Sequence, residues 1–152
     1  IEFQIWGHLH NDLFTLYSDS DDLNSNIIGV GFVTPSLMPD HHRPSYRIYE
    51  YDKETNKILD YYQYSADISL ANKINKLEYQ LDYTATIAYN LEDFTGKSWK
   101  FVYNKLKNNQ TEFNLYYQKY NVGEIIPCDE KCKNEMLCRI RYNNINSYNQ
   151  CL

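Results

Sequence analysis

His8 and His10, within Gly7-His8-Leu9-His10, are the side chains of this sequence best suited to metal chemistry. Neutral imidazole is the commonest protein metal ligand near neutral pH, and two imidazoles at i and i+2 can serve one ion or two adjacent ions. They follow the apolar run Phe3-Gln4-Ile5-Trp6, where a strand should end and a loop begin, and Gly7 lets the backbone turn there. A hydrolytic metal site needs more ligands than two histidines supply. No GDxxD or GNH pattern follows. The pair therefore reads as part of a site completed elsewhere, in a longer or split protein. Spacing alone equally suits two half-buried structural histidines.

The second chemical signal is at the other end. All four cysteines lie in the last 25 residues, as Cys128-x3-Cys132-x5-Cys138-x12-Cys151. Zinc would favour CxxC pairs or a nearby histidine, and no histidine follows His42. An even count in a compact, Asn-rich tail points to two disulfides, read as Cys128–Cys132 and Cys138–Cys151, with zinc binding as the alternative. Such clustering is uncommon in reducing compartments unless metal is bound. Asn109-Gln110-Thr111 is a glycosylation sequon in an apparent polar linker, which agrees with a secretory route.

The elements that must position these groups fall into two parts. Residues 1–64 read as strands. Phe3 to Trp6 and Leu13 to Tyr17 form the first two, and a polar turn is expected over 18–26. Ile27-Ile28-Gly29-Val30-Gly31-Phe32-Val33 reads as a strand buried on both faces, with glycines marking close approach of a neighbour. Residues 46–51 and 58–64 flank a turn at 52–57, which predicts a hairpin. In 65–152, alternation of Leu77, Tyr79, Leu81 and Tyr83 predicts one more strand. Trp99, Val102, Tyr103 and Leu106 follow helical spacing behind Thr95 as N-cap. Phe113, Tyr116, Tyr117 and Tyr120 predict a second amphipathic helix, capped by Thr111 and ended by Gly123 and Pro127. This is an α/β (α+β) chain whose second part is mainly helical and disulfide-stapled.

Composition narrows the function. The 152 residues, 43% hydrophobic and 23% charged, can bury a core. A net charge of −5 without any Lys/Arg cluster argues against a nucleic-acid polymer as partner. No apolar run approaches the roughly 18–20 residues that span a bilayer.

Gly7-His8-Leu9-His10-Asn11-Asp12-Leu13-Phe14 resembles the GHxHxDxF block that closes the catalytic domain of acid sphingomyelinase-like phosphodiesterases, members of the calcineurin-like metallophosphoesterases. Val33-Thr34-Pro35-Ser36 and Pro44-Ser45-Tyr46-Arg47 resemble that family's APS and PGYR signatures. Tyr51-Asp52, Leu77-Glu78-Tyr79, Tyr89-Asn90-Leu91, Trp99 and the cysteine spacing follow in family order. The resemblance implies that residues 1–64 are the last strands of a metallophosphoesterase β-sandwich and 65–152 a C-terminal subdomain. It implies two zinc ions, one on His8 and the other on His10, with the remaining ligands and the general acid supplied by the N-terminal portion of the same precursor. Asp12 would stand behind the ligands, orienting an imidazole, or would cap an Asx turn.

The sequence departs from the family between Ser36 and Tyr46, where Leu37-Met38-Pro39-Asp40-His41-His42-Arg43 replaces a Thr-rich stretch and Ser45 replaces Gly. His41, His42 and Arg43 are thus candidate substrate contacts, against the plainer reading of exposed loop residues. The implied activity is phosphodiester or phosphoanhydride hydrolysis of nucleotides or similar soluble substrates in the secreted, lysosomal or endosomal space. Sphingomyelin cleavage to phosphocholine and ceramide is one alternative, and a non-catalytic secreted binding domain another.

Overall fold

The computed structural model describes residues 2–20, 25–39 and 42–152. Its first sheet holds β1 (Phe3–Trp6), β2 (Leu13–Ser18) and β3 (Ile27–Val33) in the order β1-β3-β2. β3 runs parallel to β1 and antiparallel to β2. Its apolar, β-branched sequence suits this central place, where Val30, Phe32 and Val33 are buried. Gly31 faces Thr15 of β2, and a Cβ there would lie 2.7 Å from both Thr15 Cγ2 and Tyr17 Oη. The turn expected over 18–26 includes residues 21–24, which lie outside the described residues.

The expected hairpin is β4 (Ser45–Tyr51) and β5 (Ile58–Ser65), with β6 (Gln80–Thr84) completing an antiparallel sheet β4-β5-β6. β6 is shorter than the alternation from Leu77 predicts. Between β5 and β6 lies α1 (Ile68–Ile74), and β6 runs directly into α2 (Ala85–Tyr89). Neither helix was legible from periodicity: α1 buries none of its residues.

α3 (Gly96–Asn108) buries Trp99, Val102, Tyr103 and Leu106, the four positions of its apolar stripe, and Thr95 Oγ1 accepts from Ser98 N–H. In α4 (Gln110–Tyr120) the cap is Asn109 rather than Thr111: Asn109 Oδ1 accepts from the N–H groups of Thr111 and Glu112. Asn109 is the single residue between the two helices, so the expected polar linker is only a corner. α5 (Glu130–Arg141) and α6 (Ile145–Cys151) follow, joined by Cys138–Cys151, while Cys128–Cys132 closes over the start of α5. Both disulfides pair as the sequence reading expects, and no free thiol remains.

Trp99 links the layers. Its ring centroid lies 4.7 Å from Phe14 of β2, 5.1 Å from Phe32 of β3 and 5.2 Å from Tyr89 of α2. Phe32 in turn meets Tyr61 of β5 at 5.8 Å, edge to face, so one aromatic core joins both sheets and α3. α5 and the turn after it are keyed to β2: Thr15 Oγ1 donates to Ile140 O at 3.2 Å, and Asn143 Nδ2, just beyond α5, donates to Leu16 O at 2.7 Å.

Candidate functional site

The histidine motif occupies the loop 7–12 from β1 to β2. Trp6 and Leu13 both pair with Val33, so this loop bridges the C-terminal end of β3. The segment leaving β3 starts at the same end, where Thr34 N–H donates to Trp6 O at 2.9 Å. His8 and His10 hold positive φ of 81° and 61°, the left-handed region that residues with a Cβ seldom occupy. His8 is exposed and His10 half-buried. Backbone strain of this kind collects where the surrounding structure fixes a functional geometry.

The loop's exit is tightly held. Asp12 is buried and its N–H donates to Tyr120 O at 3.1 Å. Its carboxylate meets Arg47 of β4, with Nη2 2.6 Å from Oδ1, and Oδ2 accepts from the Tyr83 hydroxyl of β6. The Arg47 side chain is wholly withdrawn from solvent. Its Nε donates to Gln63 Oε1 at 2.9 Å, and its guanidinium carbon lies 3.8 Å from the centroid of Tyr61. Burial pushes the guanidinium's pKa down, but Asp12 together with the surrounding Tyr61, Tyr83 and Tyr49 outweighs it and holds the group above its ordinary value. Burial, reinforced by Asp12, pushes Tyr83 well above the usual phenol range. Arg47 is therefore a cation and Tyr83 a neutral donor at every physiological pH. Asp12 accordingly sits between a guanidinium and a phenol rather than against an imidazole of the opening motif.

The other candidates are placed as follows. Asn11 Nδ2 lies 2.8 Å from His42 Nε2, so His42 joins the loop rather than standing free in solvent. His41 lies outside the described residues. Arg43 is matched by two carboxylates, with Nε 3.3 Å from Glu124 Oε1 and Nη2 3.9 Å from Asp67 Oδ2. Those two pairs offset part of its positive charge. Asn109 is exposed, and its capping role uses Oδ1 only.

Arg47, Tyr83 and Gln63 are the partners that residue spacing missed. One signal was available: Arg47 shares the inward parity of β4 with Ser45 and Tyr49, and a charge aimed into a core demands a buried counter-charge. Among the described residues, no group of three or more His, Cys, Asp or Glu is placed to hold a metal. His8 and His10 carry imidazole nitrogens, donors of the kind zinc takes.

The family model described as the acid sphingomyelin phosphodiesterase C-terminal region matches residues 23–152. The chain belongs to this family. Sphingomyelin phosphodiesterase A of Dictyostelium discoideum is 37% identical over 97% of the chain and 26% of its own length. Sphingomyelin phosphodiesterase 1 of Caenorhabditis elegans is 34% identical over 99% of the chain and 27% of its own length. A cyclic GMP-AMP phosphodiesterase of Rattus norvegicus is 30% identical over 98% and 35%. This acid sphingomyelin phosphodiesterase C-terminal region thus spans a quarter to about a third of the length of these curated relatives.

Proposed function

We propose that this chain is the C-terminal part of a zinc-dependent phosphodiesterase, in which His8 and His10 each ligate a different one of two zinc ions. The observation that carries the reading is the pair of imidazoles held at left-handed φ in a loop whose exit is clasped by the buried Asp12–Arg47 pair. Bound zinc supplies Lewis acidity and an activated water to phosphodiester hydrolysis. This chain's own contribution is to hold two imidazoles in one orientation and, through Asn11, to tie them to His42.

The remaining ligands belong to an N-terminal portion of the same precursor. Support comes from the open edge of β1, where Ile5 is 49% and Trp6 51% exposed, and from Leu9 at 53% in the loop itself. Unpaired edge backbone with exposed apolar side chains is ordinarily covered by another segment. Two disulfides suit an oxidising, secreted or lysosomal compartment, and Asn109 is open to glycosylation there. No described helix is long and apolar enough to cross a membrane.

Two substrate readings remain in play. The relatives of higher identity are named for sphingomyelin, which favours a phosphocholine ester of a sphingolipid. The nucleotide reading has the cyclic GMP-AMP relative in its support. The test is the full-length protein, assayed for kcat/KM on sphingomyelin and on a nucleotide diester, with zinc per molecule measured alongside. His8→Ala and His10→Ala should each lower kcat/KM about a thousandfold, equivalent to about 4 kcal/mol of transition-state stabilisation, and lose zinc. Retention of full activity and two zinc ions in both variants would remove His8 and His10 from the metal site, whereas a wild-type protein that hydrolyses neither substrate would favour the non-catalytic alternative.

A further inference from the structure

We infer that Arg47 and Tyr83, acting through Asp12, are positioning residues that hold the loop 7–12 in the backbone conformation from which His8 and His10 are presented. The functional part of this inference rests on the metal reading above; the mechanical part does not.

The loop's restraint is one-sided. At its entrance, backbone bonding ends with Trp6 O, and nothing lies within 4 Å of the position a Cβ on Gly7 would take. His8 and Leu9 are exposed. At the exit, Asp12 is fixed through its N–H and through both carboxylate oxygens. Two left-handed residues four and two positions before Asp12 would relax to ordinary backbone if that anchor were loosened.

The anchor depends on Arg47. A buried carboxylate without its cation turns toward water, because isolated charge is poorly tolerated in a core. Arg47 cannot follow it: the guanidinium is held by Gln63, its direct partner across β4 and β5, and is stacked on Tyr61. Gln63 Nε2 is itself tied to Tyr46 O at 3.2 Å and Tyr64 O at 3.1 Å. The hairpin of the second sheet thereby sets a loop at the end of the first. Lysine would keep the charge but lose the planar fork that bonds Asp12 and Gln63 together.

The experiment uses the full-length protein with Arg47→Lys, Tyr83→Phe and, as control, Arg141→Met. Arg141 is also buried, but its guanidinium bonds Ser18 and Ser25 away from the loop. Four quantities are read: zinc loss to a chelator, amide exchange of the peptide covering 7–12, kcat against KM, and melting temperature. Tyr83→Phe removes one hydroxyl and keeps the ion pair, so it decides the matter if Arg47→Lys does not fold. Zinc loss and loop exchange should each accelerate about tenfold or more in both variants, with kcat falling and KM little changed. Arg141→Met should lower the melting temperature while leaving both rates at the wild-type value. Wild-type exchange and zinc loss in Tyr83→Phe would overturn the inference, as would equal acceleration in Arg141→Met. Should the wild-type protein bind no zinc, the metal reading fails by itself and loop exchange alone judges the positioning role.

Discussion

Asn11 Nδ2 lies 2.8 Å from Nε2 of His42, which joins the loop between β1 and β2 to the segment leading into β4. Asn11 also reaches Tyr120 O at 3.4 Å, so the contact sits on the same α4 terminus that holds Asp12. His42 is therefore expected to tune the site rather than to build it. His42→Ala in the full-length protein removes the hydrogen bond with Asn11, worth about 1 kcal/mol, or roughly fivefold in KM. Zinc content should stay unchanged. A loss of activity as large as that of His8→Ala would instead place His42 among the ligands.

Gly31→Ala should be destabilising although the added group is a single methyl. Its Cβ would fall 2.7 Å from Thr15 Cγ2 and 2.7 Å from Tyr17 Oη. Thr15 is buried and cannot swing away, since its hydroxyl is bonded to α5 and Asn143. Overpacking of this kind costs about 1–3 kcal/mol. Tyr17 would have to move, loosening the hydrogen bond its hydroxyl accepts from Trp6 Nε1 beside Gly7. The melting temperature of the full-length variant measures this, and a value equal to the wild type's would show that β2 yields freely.

Local pattern made some of this structure legible and long-range pairing hid the rest. The hairpin β4–β5 and the stripe of α3 were readable because each buries residues at a fixed period. α1 was not, since it buries nothing and leaves no stripe. Thr111 and Asn109 are both competent caps two residues apart, and the end of α3 decided for Asn109, which closes one helix and opens the next. His8 and His10 stand out by residue type alone. Asp12's partners stand 35 and 71 positions away, on strands of another sheet, and no spacing rule connects them. The two acidic partners of Arg43, Asp67 and Glu124, are likewise remote in sequence and left no local signal.

Asp93 should give the start of α3 a measurable acid sensitivity. Hydrogen bonds from the Ser98 hydroxyl and from the hydroxyl and N–H of Thr95 hold its carboxyl below the ordinary range. A carboxylate depressed on folding adds stability that is present above the unfolded value, about 3.9, and is lost as pH falls through the folded one. Asp93→Asn should therefore melt below the wild type at neutral and mildly acidic pH, with the gap closing once the wild-type group is protonated. Melting temperatures of both proteins across that range check the sign. A gap that widens on acidification would show that the charge does not support the cap.

The two disulfides should differ in what they contribute. Cys128–Cys132 closes a span of 4 residues and Cys138–Cys151 a span of 13. Loop-closure entropy then assigns about 2 kcal/mol to the first and about 3 kcal/mol to the second. Packing sharpens the contrast. α6 buries none of its residues, whereas Cys138 is fully buried in α5, so the longer bridge is what keeps α6 against the domain. Replacing Cys138 and Cys151 together by Ala should lower the melting temperature and raise amide exchange throughout α6. The matching Cys128/Cys132 pair should leave α6 protected and cost less. On the metal reading proposed above, neither double variant should change zinc content, because α6 lies outside the Asp12–Arg47 clasp. Non-reduced peptide mapping confirms which bridge remains in each variant, and an unprotected α6 after removal of the short bridge alone would contradict this division of labour.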